Sequence, residues 1–241
     1  MPKNQLSVSI IVPTLNEEKN IKETLSHLRA IAPDAELIVS DGHSTDHTVQ
    51  ITRKIADKVV LEHKIPGKRS SIGAGRNRGA KAAKGEIVWF VDADTKPQKV
   101  FYSRMRAEFE KPEVIGVGCK IMPGNVGHMA EFNFNVLNLI VRMSAFLGKP
   151  TIAGNCVAYR KEPFFRIKGF DEEMQASEDQ DLCLRISKVG KVVYMKDVTA
   201  FTSSRRLKKM GWFGLLMDWG RTTFNFVTGR KNTRYAIVRE I

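Results

Sequence analysis

Apolar runs and helical stretches alternate along the first half of this chain. Leu6 to Pro13 is a β-branched apolar run closed by proline, the pattern of a buried strand. From Glu17 to Ala30, Ile21, Leu25 and Leu28 recur at helical spacing. Leu37 to Val39 reads as a short strand, and a helix is predicted from about Thr45, with Val49, Ile51 and Ile55 as its apolar positions. Val59 to Leu61 is a further strand, Ala74 to Ala83 a helix, and Ile87 to Val91 an apolar strand that stops at Asp92. In the second half, strands are predicted over Ile115 to Met122 and Thr151 to Arg160, and helices over Met129 to Leu147 and Gln180 to Val189. An aromatic-rich, basic helical tail follows from Leu207.

Strands that alternate with helices predict an α/β fold: a mostly parallel central sheet with helices on both faces. Ligands of such sheets bind outside the carboxyl ends of the strands. The polar motifs fall there: Asn16-Glu17 after the first strand, Ser40-Asp41-Gly42 after the second, and Asp92-Ala93-Asp94 after the fourth. At 241 residues the chain can bury one substantial core. A single domain over residues 1–206 with a helical tail over 207–241 is the expected organisation.

Hydrophobic residues at 42% and charged residues at 27% exclude a largely disordered chain. The formal net charge of +13 favours polyanionic partners, among them anionic lipid and phosphorylated substrates. Zinc-finger spacing, ribonucleoprotein aromatics and a basic region with heptads are all missing, so nucleic acid is not an expected partner. Cys119, Cys156 and Cys183 form no framework for disulfides or zinc. Met1 to Leu6 is short and polar, without the character of a signal peptide, and no run reaches about 18 apolar residues. A cytoplasmic protein is expected, one that can sit peripherally at the inner face of a membrane.

Several clusters carry candidate chemistry. Asp92 and Asp94, one residue apart at a strand end, can face a hard cation that prefers oxygen ligands. The same residues also read as an acidic turn capping the next helix. In Asp41-Gly42-His43-Ser44-Thr45-Asp46, Ser44 or Thr45 can cap the following helix, while Asp41 stands ahead of the cap, free to accept from a base or ribose edge. His43 and His47 read as surface histidines rather than metal ligands. Gly73-Ala74-Gly75-Arg76-Asn77-Arg78-Gly79 follows a basic turn rather than a strand, so it is no dinucleotide fingerprint. It still suits an anion cradle, with Arg76 as the donor contact. Ser177 to Asp181 has the form of a capping box, and its acidic residues suit a helix N-terminus. Asp179 is the candidate base within it. Thr202-Ser203-Ser204-Arg205-Arg206 reads either as a diphosphate clamp or as a basic linker.

Together these pieces resemble a family-2 glycosyltransferase of the GT-A fold. The resemblance runs from about Val8 to Arg206. It rests on Val12 to Glu18, on Asp41 to Asp46, on Asp92-Ala93-Asp94, and on Arg160 to Arg185 with its Gly169-Phe170-Asp171-Glu172 and Glu178-Asp179. It implies a nucleotide-sugar donor half over residues 1–124 and an acceptor half over 125–206. Pro13, Leu15, Glu17 and Asp41 would line the nucleoside pocket. Asp92 and Ala93 would serve the diphosphate, with Arg76, Arg205 and Arg206 assisting. Asp94 would bind a divalent metal, Mg2+ or Mn2+. Asp179 would be the general base of an inverting displacement, with Glu178, Gly154 and Asn155 at the acceptor. The implied partners are a UDP- or GDP-linked sugar and a sugar or polyprenyl-phosphate lipid acceptor. The Gln-x-x-Arg-Trp motif of processive synthases is absent, which implies transfer of a single sugar.

Two rival functions share some of these features. A nucleotidyltransferase that makes sugar nucleotides would need a glycine-rich phosphate loop where Thr14 to Glu17 stands. A non-enzymatic polyanion-binding module would account for the charge but not for carboxylates at successive strand ends. The tail sets Trp212, Leu216, Trp219, Thr223 and Phe226 at near-helical spacing among Lys208, Lys209, Arg221, Arg230, Lys231 and Arg234. That stripe can pack on the domain or lie on an anionic membrane surface.

Overall fold

The computed structural model describes residues 6–62, 71–124, 152–228 and 230, together with positions 131, 134, 135, 138, 139 and 143. Among the described residues the strands are β1 (Val8–Thr14), β2 (Glu36–Asp41), β3 (Lys58–Leu61), β4 (Ile87–Val91), β5 (Thr95–Pro97), β6 (Val114–Pro123), β7 (Cys156–Arg160) and β8 (Lys191–Thr202). They form one sheet in the order β3-β2-β1-β4-β7-β6-β8-β5. The helices are α1 (Ile21–Ile31), α2 (Thr48–Thr52), α3 (Ile72–Ala82), α4 (Val100–Phe109), α5 (Lys161–Arg166), α6 (Glu178–Ile186) and α7 (Arg205–Val227).

The sheet is covered on both faces, which is why β4 is apolar at every position and β1 and β2 carry apolar residues on both sides. Ile10, Val12, Leu37, Val39, Trp89 and Val91 face α1 and α4, where Leu25, Leu28, Phe101 and Met105 meet them. Their chain neighbours Ile11, Ile38, Val88 and Phe90 face the other side, against Ala80, Phe164, Leu182 and Ile186. Trp89 stacks on Phe101 with ring centroids 4.9 Å apart. Helix α3 lies so close to β1 that a Cβ on Gly79 would come 2.3 Å from Cγ2 of Ile11.

The parallel expectation holds for β3-β2-β1-β4, but the full sheet is mixed. Strand β7 enters antiparallel between β4 and β6, β6 pairs parallel with β8, and β5 closes the edge antiparallel. The helix expected from Thr45 is confined to Thr48–Thr52, because residues 44–47 hydrogen-bond instead to the loop after β1. The helix expected from Glu17 starts at Ile21 for the same reason, and the strand expected from Thr151 starts at Cys156. Described positions within the helix predicted over Met129 to Leu147 are helical; the others, with Thr151, Lys231 and Arg234, lie outside the described residues.

Helix α7 packs one face on the domain and leaves another exposed. Leu215, Asp218 and Thr222 are buried against the domain, and Trp219 meets Phe134 edge to face at 5.8 Å. Gly211 breaks the helix with φ 67°. Among the described residues no helix is long and apolar enough to cross a membrane.

The close approach at Gly79 sets a test. Alanine inside a helix ordinarily gains about 0.5–1 kcal/mol over glycine. Overpacking against Ile11 outweighs it, and Gly79→Ala is expected to destabilise the protein by about 1–3 kcal/mol. Ile11→Ala combined with Gly79→Ala should cost less than the sum of the single changes in chemical denaturation, because the clashing methyl is then gone.

Candidate active site

The carboxyl ends of β1, β2 and β4 open into a cavity of about 760 Å³. The loops around it are sewn together by the side chains of the sequence motifs. Asn16, in the left-handed region at φ 56°, accepts from the backbone N–H of Thr45 at 2.8 Å, and its own N–H donates to Oγ of Ser44 at 2.8 Å. The Glu17 N–H donates to Thr48 Oγ1 at 2.8 Å, and the His47 N–H donates to Glu18 at 3.0 Å. The motif after β1 and the motif after β2 therefore form one hydrogen-bonded rim.

Asp41 is part of that framework. Expected at the nucleoside pocket, its side chain is fully buried, accepting from Thr14 Oγ1 at 3.0 Å and from the Ser44 N–H and Oγ at 2.8 and 2.6 Å. Its neighbours Ser40 and Gly42 reach the cavity wall instead, along with Pro13, Leu15 and Glu17. His43 is half-buried rather than on the surface. It takes φ 69°, and its Nε2 is buried without a hydrogen-bond partner.

At the cavity wall lies Arg76, almost wholly buried. Ser71 caps α3 by accepting from the Ala74 N–H at 3.1 Å, and the helix delivers Arg76 inward at 2% exposure. Its Nη1 donates to Glu178 at 2.8 Å and its Nη2 to Asp92 at 2.8 Å, with a further bond to the Gly154 carbonyl at 3.1 Å. The guanidinium also sits 5.3 Å from the ring centre of Phe170. A Cβ on Gly154 would lie 2.8 Å from Nη1, so only glycine lets the strand entry come this close. Arg76 is thus committed to two carboxylates of the chain itself, rather than held free for a donor. Asn77 beside it pins the Phe170 loop, donating to the Phe170 carbonyl at 2.9 Å and accepting from its N–H at 3.0 Å.

Asp92 accepts from Arg76 and from Nδ2 of Asn155 at 3.0 Å. Burial pushes the Glu178 carboxyl up to about 7, with Asp179 adding repulsion and Arg76 opposing. Asp179, in the first turn of α6, accepts from the Gly154 N–H at 2.9 Å and from the Gln180 N–H at 2.8 Å. The capping box is not formed: Ser177 is left-handed at φ 63° and makes no side-chain cap. That turn aims Asp179 at the cavity, whose wall it shares with Asp94, Gly154 and Asn155.

Asp94 carries the clearest electrostatic imbalance. Burial, together with the nearby Asp92 and Glu17, pushes its carboxyl up to about 6, while Arg205 pulls the other way. Arg205 forks onto Glu17 at 2.9 and 3.1 Å and reaches Asp94 at 3.4 Å. Arg206 turns away to Asp218 of α7 at 2.8 Å, so the structure does not pair the two arginines on one anion. A hard divalent cation fits Asp94, since an oxygen ligand crowded by negative neighbours gains from a positive charge. Among the described residues no group of three or more His, Cys, Asp or Glu could hold a metal by itself. Such a site fits Mg2+ or Mn2+ bound by one or two carboxylates plus substrate phosphate and water.

The comparisons with known proteins bear on this geometry. Residues 9–167 match the model of the family described as Glycosyl transferase family 2. The chain belongs to that family. Succinoglycan biosynthesis protein ExoA of Rhizobium meliloti (strain 1021) is 26% identical over 243 residues, covering 88% of this chain and 67% of ExoA. The uncharacterized glycosyltransferase EpsJ of Bacillus subtilis (strain 168) is 33% identical over 113 residues, covering 46% of this chain and 33% of EpsJ. The chain therefore spans about a third to two thirds of the length of these relatives. The mannosyltransferase PcManGT from Pyrobaculum calidifontis, solved with GDP-Man and Mn2+, superposes with a TM-score of 0.68 at 23% identity, over 88% of this chain and 61% of its own. The Staphylococcus aureus TarS fragment 1-349, solved with UDP-GlcNAc, gives 0.61 at 26% identity, over 82% and 59%. These likenesses establish the GT-A fold.

The cavity of this family-2 chain has a wall that its periodicity did not announce. Leu207, Leu215, Trp219 and Phe226 of α7 line it opposite the strand ends, joined by Phe134 and Tyr194. The helical spacing in the tail was visible, but the sequence carried no signal that the face bearing Trp219 turns to the cavity.

Two outcomes test the buried hub. A glutamate titrates near 4.5 when unperturbed and near 7 here. Between those values the native state holds a proton that the unfolded chain has lost, so this group makes stability decline as pH rises through the window. Glu178→Gln should flatten that slope in urea denaturation. Arg76→Met strands two buried carboxylates and is expected to cost about 3–5 kcal/mol. The loss should be larger near about pH 8 than about pH 5, where Glu178 takes up its proton.

Proposed function

We propose that the chain transfers a single sugar from a UDP- or GDP-linked donor to an acceptor hydroxyl or lipid phosphate, with inversion at the anomeric carbon. The observation that carries this reading is one cavity that brings together Asp94, from the end of β4, and Asp179, from the first turn of α6. The donor lies across the strand ends, its nucleoside against Pro13, Leu15 and Gly42 and its diphosphate toward Ala93 and Asp94. Asp94 would hold a divalent cation, which would supply charge stabilisation to the leaving diphosphate. Arg205 would shift its fork from Glu17 toward phosphate oxygens, which match a guanidinium in the same bidentate way.

Asp179 takes the proton of the acceptor hydroxyl as its oxygen attacks the anomeric carbon from the face opposite the diphosphate. A hydroxyl acceptor needs that base; a lipid phosphate attacks as an anion and does not. The Gly154 and Gln180 N–H groups fix the carboxylate. Arg76 acts as a positioning residue, holding Asp92, Glu178 and the Gly154 carbonyl in register. PcManGT with GDP-Man and Mn2+, and TarS with UDP-GlcNAc, support a nucleotide-sugar donor for this fold.

The test is release of free nucleoside diphosphate from a panel of UDP- and GDP-sugars, with Mn2+ or Mg2+ and with chelator. Turnover is expected with metal and lost in chelator; undiminished turnover in chelator would remove Asp94 from its role. Asp179→Asn keeps the shape of the side chain but cannot accept a proton. It is expected to slow transfer to a hydroxyl by about 10²–10⁴-fold while donor binding by calorimetry stays intact. Wild-type rates in that variant would place the base elsewhere.

A further inference from the structure

The face of α7 that turns away from the cavity is apolar. Phe213 is 76% exposed, Phe224 61% and Met217 60%, and Leu216 flanks them at 40%. Phe213, Met217 and Phe224 stand at i, i+4 and i+11, so they share one stripe of the helix. The opposite face carries the buried Leu215, Asp218 and Thr222. The adjoining helical positions expose Leu139 and Met143, while Phe134 among them packs on Trp212 and Trp219. The aromatic residues the tail commits to the domain are therefore different from the ones it presents to solvent.

Charge decides what this stripe fits. Asp218 is the one acidic residue between Arg205 and Arg230, and it is buried, bridging Arg206 and Arg221. Lys208, Lys209 and Arg221 are exposed along the same helix, and Arg230 is exposed just beyond its end. A helix packed on the domain by one face, with large apolar side chains exposed on the other, cations beside them and no exposed acid, fits a surface helix lying on an anionic bilayer. Its break at Gly211 separates Lys208 and Lys209 from the apolar stripe, leaving the two parts of the helix at different tilts.

We propose that the outward face of α7 docks on an anionic lipid surface. Phe213, Leu216, Met217 and Phe224 enter the acyl boundary, and Lys208, Lys209, Arg221 and Arg230 meet the headgroups. Because Leu215, Trp219 and Phe226 of the same helix line the cavity, docking holds the cavity wall at the lipid surface. The proposal deepens the transfer reading by placing a lipid-borne acceptor within reach. Its test reads lipid binding alone, so failure of docking and failure of transfer are seen separately.

The experiment is co-sedimentation of the full chain with vesicles of mixed phosphatidylcholine and phosphatidylglycerol, against pure phosphatidylcholine. The wild type should sediment with the mixed vesicles and progressively less as salt is added. Each cation near the surface contributes roughly five-fold in partitioning, so Lys208→Glu with Lys209→Glu should lose more than about ten-fold. Phe213→Ser with Met217→Ser and Phe224→Ser should lose at least about ten-fold as well. These residues do not line the cavity, so nucleotide binding and melting temperature should stay at wild-type values. If the triple variant melts early, Phe213→Ser alone carries the test. A wild type left in the supernatant, or an apolar-face variant that sediments like it, overturns the proposal. So does a lipid-free wild-type dimer that the triple variant converts to a monomer, which would assign the face to a second copy of the chain.

Discussion

A guanidinium withdrawn from water is costly to bury unless its charge is matched, and Arg76 is matched twice. One partner, Asp92, ends the central strand β4; the other, Glu178, opens α6 on the far side of the cavity. The Gly154 carbonyl adds a third tie, from the loop that leads into β7. Three segments distant in sequence are thus held at one point, and each carries a residue of the cavity wall beside its tie: Asp94, Asp179 and Asn155. Removing any one of the three partners leaves charge or a carbonyl unsatisfied in a dry interior, so the arrangement is tolerated only as a whole.

The acidic groups grade from this hub to the opening. Asp92 is neutralised by contact, Glu178 sits at the edge of ionisation, and Asp94 faces the cavity with its charge only partly answered by Arg205. Charge of one sign increases toward the place where a metal and a diphosphate would meet. The rim formed between the loops after β1 and β2 keeps Glu17 within that field and fixes where Arg205 can rest.

What could be read from the sequence followed from how locally each feature is encoded. β1, β2 and β4 are dominated by apolar residues on both faces because both are covered, and their ends announced Glu17, Asp92 and Asp94. β8 was missed because its pattern is interrupted by Lys196 and Asp197, where the pairing with β6 shifts register. β5 is three residues long, and no periodicity can mark it. Arg76 was legible as a basic residue in a glycine-rich helix, but its burial depends on Glu178 and Gly154, which no local pattern connects to it. Asp41 was read as free to accept from a base or ribose because it stands ahead of the helix cap; Thr14, on the neighbouring strand, and Ser44 instead donate to it. The left-handed Ser177 likewise replaced a capping geometry that the residue types allowed.

The bond between Arg205 and Glu17 spans 188 positions of the chain. Synthesis proceeds from the N-terminus, so β1 to β4 can pair from local connections well before that contact has a partner. During that interval Asp92, Asp94 and Glu17 stand near one another with no arginine from the C-terminal helix to balance them. The binding chamber is therefore enclosed late, by a segment that leaves the ribosome well after the parallel strands β1 to β4 that carry its acids. A chain released early would carry those four strands with an open, acid-lined notch where the finished protein has a chamber.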